Sequence, residues 1–355
     1  MARLGKSSFE FASKPQLISS ASFVSEKERT GPLGGDFDVC CKDDTLGLKS
    51  WEKAESRMFE SAVRLALFKL GRRSEELDCL IGGDLLDQII SSGFAARELR
   101  APFIGLYSAC STITEALMLG GMLMEGGFAR LVACAASSHF SSVERQYRFP
   151  LEMGTQSTPT AQRTVTGAGC VLLASSDAGE RTPVFENAAM TGGTIGTVVD
   201  YGVTDASNMG AAMAPAAAHT IKRHLEDTAR DPSDFDLILT GDLGRFGTEM
   251  LLELLAGEGI NIEAVHEDCG KLIFGDDPKT VCGGSGAGCA ASVFASHILP
   301  KVDAGEYKKV LFLATGALLS PVSSLQGESI PAIAHAVVVE HAGRTERIGN
   351  TKRKE

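Results

Sequence analysis

The sequence predicts an α/β protein in which two similar halves form alternating layers of sheet and helix. Short apolar runs such as residues 77–82 alternate with longer segments whose apolar residues recur at helical spacing, a pattern typical of strands buried beneath helices in a parallel sheet. The order then repeats, because residues 232–243 match 74–85 and residues 283–292 open a helix as 108–111 do. Such a repeat implies a pseudo-twofold fold whose ligands bind where strand ends and helix starts converge.

The individual elements follow from the same periodicity. In the first half we predict an arm at 1–16, a strand at 16–24, a surface excursion at 25–48, an amphipathic helix at 52–70, a buried strand at 77–82, a helix from about Leu85, a strand, turn and helix at 101–127, a strand at 131–136, a polar loop from Glu144 and a strand at 170–174. The helix at 52–70 should bury Ala54, Met58, Ala62, Leu65 and Phe68.

The second half is predicted to repeat these elements. A helix at 214–226, a strand at 236–239, a helix after the glycine-rich stretch 283–288 and a strand at 310–314 follow in that order. We expect the glycines of that stretch to allow close backbone packing, because no Lys-Ser/Thr follows as in a phosphate-binding loop. We place the halves at residues 1–180 and 181–355.

Cys110 lies at the predicted turn between a strand and a helix. Ser111 or Thr112 can cap that helix, and Glu115 would complete a capping box with Thr112. Free N–H groups and the helix dipole would favour a thiolate at Cys110 and a bound anion beside it. The alternative is a small buried core residue, which is the commoner role of a free cysteine.

Composition limits the classes of function. A formal net charge of −11 argues against nucleic acid as a partner. The nine cysteines are scattered and include no C-x-x-C pair, so we expect reduced thiols and no zinc site. Neither a signal sequence nor an apolar run of membrane-spanning length is present, which predicts a soluble chain that meets a membrane only through partners.

Ten motifs together carry a resemblance to a known family. They are PLGGDFD (32–38), GGDLL (82–86), SACST (108–112), SSHFSSVERQYRFP (137–150), TVTGAG (164–169), MAPAAAHTIKRHLED (213–227), DLILTGDL (236–243), CGGSGAGC (282–289), ATGALLSP (314–321) and ESIPAIAH (328–335). The duplicated halves resemble the thiolase fold, which includes the ketoacyl synthases. Within that fold, the motifs resemble the sporulation AD family of endospore-forming bacteria.

The resemblance implies several properties. The fold would be thiolase-like, with two duplicated halves in an α-β-α-β-α arrangement. The protein would bind dipicolinate (pyridine-2,6-dicarboxylate), with or without calcium, during its movement into and out of spores. It would be peripherally associated with the inner spore membrane and work with membrane proteins of the same transport complex. It would also be a homodimer, because the strand after the nucleophile helix, here residues 131–136, commonly pairs across a dimer in this fold.

The same resemblance argues against catalysis. A condensing enzyme of this fold needs a cysteine nucleophile with His and His or Asn partners that activate the thiol and hold an oxyanion. Cys110 matches the nucleophile, but Asp242 follows the strand where the first His is expected, and the second position falls among glycines at 286–288. We therefore predict a binding protein without catalytic residues. The alternative is a thiolase-like or ketoacyl-synthase-like acyltransferase with an unusual dyad of Cys110 and His139.

The candidate ligand site combines six residues near predicted strand ends and helix starts: Asp84, Cys110, Ser137, Ser138, His139 and Asp242. Both aspartates suit a bound cation, a protonated state or a water network, but each follows Gly at a strand end and can equally cap a helix. Arg145 and Arg148 could pair with ligand carboxylates, although a charged loop is expected to face solvent.

Overall fold

The computed structural model describes residues 2–148, 158–175 and 183–343. The strands are β1 Ala2–Leu4, β2 Ser8–Glu10, β3 Gln16–Ser25, β4 Val39–Cys41, β5 Cys79–Gly83, β6 Phe103–Gly105, β7 Leu131–Ser138, β8 Arg163–Thr164, β9 Gly167–Ala174, β10 Ala188–Thr194, β11 Leu237–Thr240, β12 His266–Asp268, β13 Gly284–Ser285, β14 Lys309–Ala317 and β15 Ala332–His341.

The α-helices in the described residues are α1 Glu26–Arg29, α2 Trp51–Phe68, α3 Ile90–Leu99, α4 Thr112–Glu125, α5 Phe140–Tyr147, α6 Met209–Thr228, α7 Gly244–Gly257, α8 Cys269–Phe274, α9 Ala287–Val293, α10 Leu299–Ala304 and α11 Pro321–Leu325. They confirm the predicted helices at 52–70 and 214–226. The helix predicted from about Leu85 begins only at Ile90, after a short 3-10 turn.

The two halves have the same sheet topology, which confirms the predicted duplication. Read from its outer edge, the first sheet runs β6-β5-β7-β9-β3, and the second runs β12-β11-β14-β15-β10. The sheets meet where Ala189 of β10 pairs with Gln16 of β3. Each sheet is mixed rather than parallel as predicted, because β9 and β15 are antiparallel to both of their neighbours.

The layers follow from the helix contacts. The helices α2 and α3 cover the outer face of the first sheet; α6 covers that of the second, and α7 packs against α6. Between the sheets, α4 contacts β5 and β7 on one side and β14 and β15 on the other, with α9 beside it on β7 and β9. This is the predicted α-β-α-β-α arrangement. Three apolar clusters fill the spaces between the layers, so the middle helices are buried and their starts lie inside the protein.

Several local predictions were wrong. The predicted N-terminal arm contains β1 and β2, and β2 pairs with β10 of the second half. The surface excursion contains α1 and β4, and it buries Leu33 and Phe37. The polar loop predicted from Glu144 is part of α5, and its last residues lie outside the described part of the chain. Phe68 is 77% exposed because it lies on the same solvent-facing side of α2 as Arg57 and Arg64, whereas the neighbouring Leu67 is buried.

Candidate functional site

A cavity of about 360 Å³ lies between the two halves, at the end where β5, β7, β11 and β14 finish. Its wall combines residues from both halves: Leu85, Asp87, Tyr107, Ala109, Cys110, Val143, Tyr147, Arg148, Thr164, Met209, Met213, Asp242, Ser285, Gly286 and the segment 317–320 with Pro321. The wall is mostly apolar, with a few polar groups, as in sites for small ligands. Parallel strands end at the same edge, so the repeat brings these residues together.

Cys110 lies in a short 3-10 turn, Ala109–Ser111, that leads directly into α4. Ala109 has φ +50°, a left-handed conformation that costs an L-residue roughly 1–2 kcal/mol and turns the chain sharply towards the cavity. The predicted capping box is wrong, because the Thr112 hydroxyl donates to the carbonyl of Ala109 at 2.7 Å and Oε2 of Glu115 is buried without a partner. The predicted position of Cys110 at a helix start on the site is nevertheless confirmed.

The predicted thiolate is wrong. Burial and the nearby carboxylate of Asp242, to which the Cys110 thiol donates a hydrogen bond, raise the pKa of this thiol well above its ordinary value. A helix N-terminus lowers a thiol pKa by a modest amount, which does not compensate for desolvation and a negative neighbour. Cys110 is therefore a neutral thiol at physiological pH.

Asp242 sits at the centre of the polar part of the wall. Its carboxylate accepts hydrogen bonds from the Thr315 hydroxyl at 2.7 Å and from the Gly286 N–H at 2.9 Å, and burial raises its pKa to about 7. It does not cap α7, because Asp268 receives the N–H groups of Leu243 and Gly244. The ligand interpretation of Asp242 thus has a geometric basis that the capping alternative lacks.

Two glycines are required for this arrangement. Gly286 has φ +104°, and a Cβ there would lie 2.7 Å from the Ser138 hydroxyl. A Cβ on Gly316 would lie 2.6 Å from the carbonyl of Ser108, so only glycine lets the end of β14 approach the Cys110 turn. The expected role of the glycine-rich stretch in close backbone packing is confirmed.

Arg148 brings a positive charge to the cavity wall. It lies just after α5, pairs with Glu144 at 2.7 Å, and donates to the carbonyl of Ala206 at 3.1 Å. Its side chain is only 17% exposed, and its Nε is buried without a partner. The expectation of a solvent-facing arginine is therefore wrong for Arg148. It is correct for Arg145, which pairs with Glu52 and is half exposed.

A tyrosine pair forms another part of the wall. The Tyr107 hydroxyl donates to the Asp87 carboxylate at 3.0 Å and lies 3.4 Å from the Tyr147 hydroxyl. The Tyr147 hydroxyl donates to the carbonyl of Leu85. These bonds hold two aromatic rings and one carboxylate beside the cavity. Tyr107, Tyr147 and Asp87 are not among the site residues predicted from the sequence, since nothing in the linear pattern distinguishes them from other polar residues.

Asp84 does not reach the cavity. It is fully buried and accepts hydrogen bonds from the N–H groups of Leu86 and Ser92 and from the Ser92 hydroxyl, at 2.7 to 2.9 Å. Ser92 lies in the first turn of α3, so Asp84 satisfies a helix start, as the capping alternative predicts.

Ser137, Ser138 and His139 are also buried away from the cavity wall. Ser137 donates to Glu55 at 3.0 Å, and Ser138 donates to the carbonyl of Val165 at 2.7 Å. His139 lies 2.9 Å from the carbonyl of Asp44 and accepts from the N–H of Ser141, so both ring nitrogens are occupied. Of the six predicted site residues, only Cys110 and Asp242 line the cavity, because β7 continues to Ser138 and its last side chains point into the layers.

The Cys110–His139 dyad is not present in the structure. His139 makes the bonds just described, and burial lowers its pKa. Among the described residues, none of the seven histidines lines the cavity. His224, His266 and His335 are buried elsewhere and bond to Thr194, Thr240 and the N–H of Gly196.

This architecture defines a class of protein, that of the thiolase-like fold. The chain is similar to human mitochondrial 3-ketoacyl-CoA thiolase, with a TM-score of 0.59, 14% identity, and coverage of 94% of this chain and 99% of that one. It is similar to 3-oxoacyl-[acyl-carrier-protein] synthase III from Aquifex aeolicus, with a TM-score of 0.55, 13% identity, and coverage of 92% and 99%.

The sequence comparisons identify the family. The family model of stage V sporulation protein AD matches residues 5–340. A relative described as stage V sporulation protein AD of Bacillus subtilis is 42% identical over 339 residues, which are 96% of this chain and 98% of that protein. The chain belongs to the stage V sporulation protein AD family.

Proposed function

We propose that this protein binds dipicolinate in the cavity without converting it, and serves its transport into and out of bacterial spores during sporulation and germination. The observation that carries the proposal is the buried Arg148 guanidinium in the cavity wall, whose Nε has no partner. An arginine with a free donor in a mostly apolar cavity suits a ligand carboxylate. The family supports a role in sporulation.

The remaining wall suits a planar aromatic ring. Leu85, Val143, Tyr147 and Met213 supply apolar and aromatic surface, and the volume of about 360 Å³ lies at the small end of the roughly 300–1,000 Å³ of ligand sites. A single-ring dicarboxylate therefore fits better than a long acyl chain. Rigid rings also lose little conformational freedom when they bind.

Calcium would bind in this site together with dipicolinate. Asp87 and Asp242 line the cavity, and two carboxylates repel a dianion unless a proton or a cation lies between them. Carboxylate oxygens are ligands that calcium prefers. We infer that dipicolinate binds better with calcium, or with Asp242 protonated, than as the bare dianion.

The chemistry of Cys110 supports binding rather than catalysis. A thiol of strongly raised pKa next to a carboxylate is a poor nucleophile, because a condensing enzyme needs a thiolate or a base that can form it. The second candidate, an acyltransferase, is favoured by the position of Cys110 at a helix start on the cavity. Incubation with acetyl-CoA followed by mass spectrometry separates them, since an acyltransferase acquires an acetyl group on Cys110.

Calorimetric titration of the full chain with dipicolinate, with and without calcium, tests the proposal. Benzene-1,3-dicarboxylate, which has the two carboxylates but no ring nitrogen, and pyridine-2-carboxylate, which has one carboxylate, are the matched controls. We expect saturable binding of dipicolinate and weaker binding of both controls. Equal binding of all three ligands, or none of dipicolinate, contradicts the proposal.

We also propose that the chain is peripherally associated with the inner spore membrane and works with membrane proteins of the same transport complex. Among the described residues, no helix has the length and apolar character needed to cross a bilayer. A homodimer is part of the same proposal.

A further inference from the structure

Two segments form one surface at the mouth of the cavity. Residues 318–331, which include α11, begin and end together, because the N–H of Leu318 donates to the carbonyl of Pro331 at 2.8 Å. They adjoin residues 198–206: the N–H of Ile330 donates to the carbonyl of Val203 at 2.7 Å, and the Ser329 hydroxyl donates to Asp200 at 2.5 Å. Pro321 at the start of α11 lines the cavity. The surface is therefore fixed next to the ligand site.

This surface exposes large apolar side chains to solvent. Val198 is 52% exposed, Tyr201 66%, Val322 68% and Leu325 89%, and we call these four residues the mouth patch. They do not line the cavity, and α11 buries none of its residues. Exposed apolar side chains are common singly, but a group of them beside a ligand site is typical of an interaction surface.

The charge around the mouth patch indicates which kind of partner can bind there. Residues 198–208 and 317–330 contain Asp200, Asp205 and Glu328 but no Lys or Arg. Hydrogen bonds from Ser329 and Gly202 lower the pKa of Asp200, so its carboxylate is charged at neutral pH. Arg148, which donates to the carbonyl of Ala206, is paired with Glu144 on the cavity side. An anionic bilayer would be repelled by this rim, whereas a partner with Lys and Arg around apolar residues would be attracted.

We propose that the mouth patch binds a basic, amphipathic segment of a membrane protein, so that the cavity faces that protein directly. Juxtamembrane loops of membrane proteins carry an excess of Lys and Arg next to apolar residues, which complements an apolar patch with an acidic rim. That the partner lies in the spore membrane rests on the proposed sporulation function. Dipicolinate titration tests that function separately.

Co-sedimentation of the full chain tests the docking proposal. The probes are membranes from sporulating cells that lack this chain, the same membranes after trypsin treatment, and protein-free vesicles of phosphatidylglycerol and phosphatidylethanolamine. We expect saturable binding to the untreated membranes alone, weakened by salt. The double variant Val322→Ser with Leu325→Ser should lose about tenfold in affinity, as for central apolar contacts of an interface, and Glu328→Lys should also weaken binding.

The matched control is Phe68→Ser with Phe128→Ser. These side chains are 77% and 82% exposed, but Phe68 is the last residue of α2 and Phe128 follows α4, at the opposite end of the sheet from the cavity. This control variant should bind membranes as tightly as the parent chain does. Thermal melting should show that every variant is folded, and dipicolinate titration should show that each still binds the ligand. Equal loss in the control, equal binding to protein-free vesicles or trypsin-treated membranes, or no saturable binding overturns the proposal.

Discussion

At the scale of single residues, the chemistry of the site depends on the charged side chains in the cavity wall, Asp242 beside the Cys110 thiol and Arg148. Cys110 lies at a helix start in a thiolase-like fold, yet Asp242 occupies the position where an imidazole would be expected and keeps the thiol protonated. Arg148 supplies the positive charge instead, from the position directly after α5, in a segment predicted to be a loop. The cavity wall thus combines a thiol of raised pKa with a guanidinium, and no histidine among the described residues lines it.

Arg148 is expected to be the main carboxylate-binding residue. Arg148→Gln combined with Glu144→Gln removes the cation without leaving a buried, unpaired charge, and should weaken dipicolinate binding by about 1.5–3 kcal/mol, the usual contribution of a charged hydrogen bond. Arg145→Gln, three residues earlier and outside the cavity wall, is the control. Calorimetry that shows equal effects of the two changes would exclude a direct role for Arg148.

Cys110 should act through its size. Cys110→Ser keeps a small hydrogen-bonding group beside Asp242 and should retain most of the dipicolinate affinity, whereas Cys110→Leu fills part of the cavity and should abolish it. Titration of both variants checks this expectation. Thioester turnover by the parent chain that disappears in Cys110→Ser would instead establish the acyltransferase.

At the scale of elements, equivalent positions of the duplication have diverged in role. Asp84 and Asp242 each follow a strand at matching places in the two halves, but Asp84 satisfies the start of α3 and Asp242 faces the cavity. The difference arises because Asp268 from β12 already caps α7 in the second half. Asp242 is therefore free to interact with Cys110, Gly286 and Thr315.

Asp84→Ala should accordingly destabilise the protein and leave the ligand site intact. It removes three hydrogen bonds at the start of α3 and leaves buried N–H groups unpaired, which costs about 1–3 kcal/mol. Denaturant unfolding measures the loss, and calorimetry should show parent-like affinity at a temperature where the variant is folded. A selective loss of affinity with unchanged stability would place Asp84 in the ligand site.

At the scale of the whole molecule, several carboxyl groups are buried between the layers. Burial raises the pKa of Asp242 to about 7, that of Glu55 to about 8 and that of Asp268 to about 6. Each group therefore binds a proton more tightly in the folded chain than in the unfolded chain. Their contribution to stability is complete below the unfolded pKa and is lost as pH rises through the folded pKa.

We therefore expect stability to fall between pH 6.5 and 8.5. Below pH 6.5 the buried His224, His266 and His335, whose pKa values burial lowers to about 4, 3 and 4, oppose the trend, because the unfolded chain protonates them first. Above pH 6.5, the deprotonation of Asp242 and Glu55 dominates the pH dependence of stability. The free energy of unfolding should fall by about 1–3 kcal/mol between pH 6.5 and 8.5. Urea unfolding at both pH values measures it, and Asp242→Asn should show a smaller fall. A free energy of unfolding that stays constant or rises between pH 6.5 and 8.5 would contradict the raised pKa values of Asp242 and Glu55.

The homodimer stays a prediction, but its expected edge has changed. Residues 131–136 lie in β7, between β5 and β9, and are buried on both faces, so they cannot pair with a second copy. The outer edge of that sheet is β6, where Ile104 is 40% exposed. We expect light scattering to show a dimer at micromolar concentration and Ile104→Asp to shift it towards monomer. A monomeric parent chain would count against any dimer.

The sequence by itself determined the duplicated fold, the helix start at Cys110 and the absence of the expected histidine at Asp242. These features are local in the chain: apolar periodicity, turn residues and the order of motifs. Tertiary structure alone decided that Arg148, Tyr107 and Asp87 line one cavity with Cys110, while Ser137, Ser138 and His139 turn inward. The direction of a strand-end side chain depends on where the strand stops and what packs on each face, and these contacts come from residues distant in sequence.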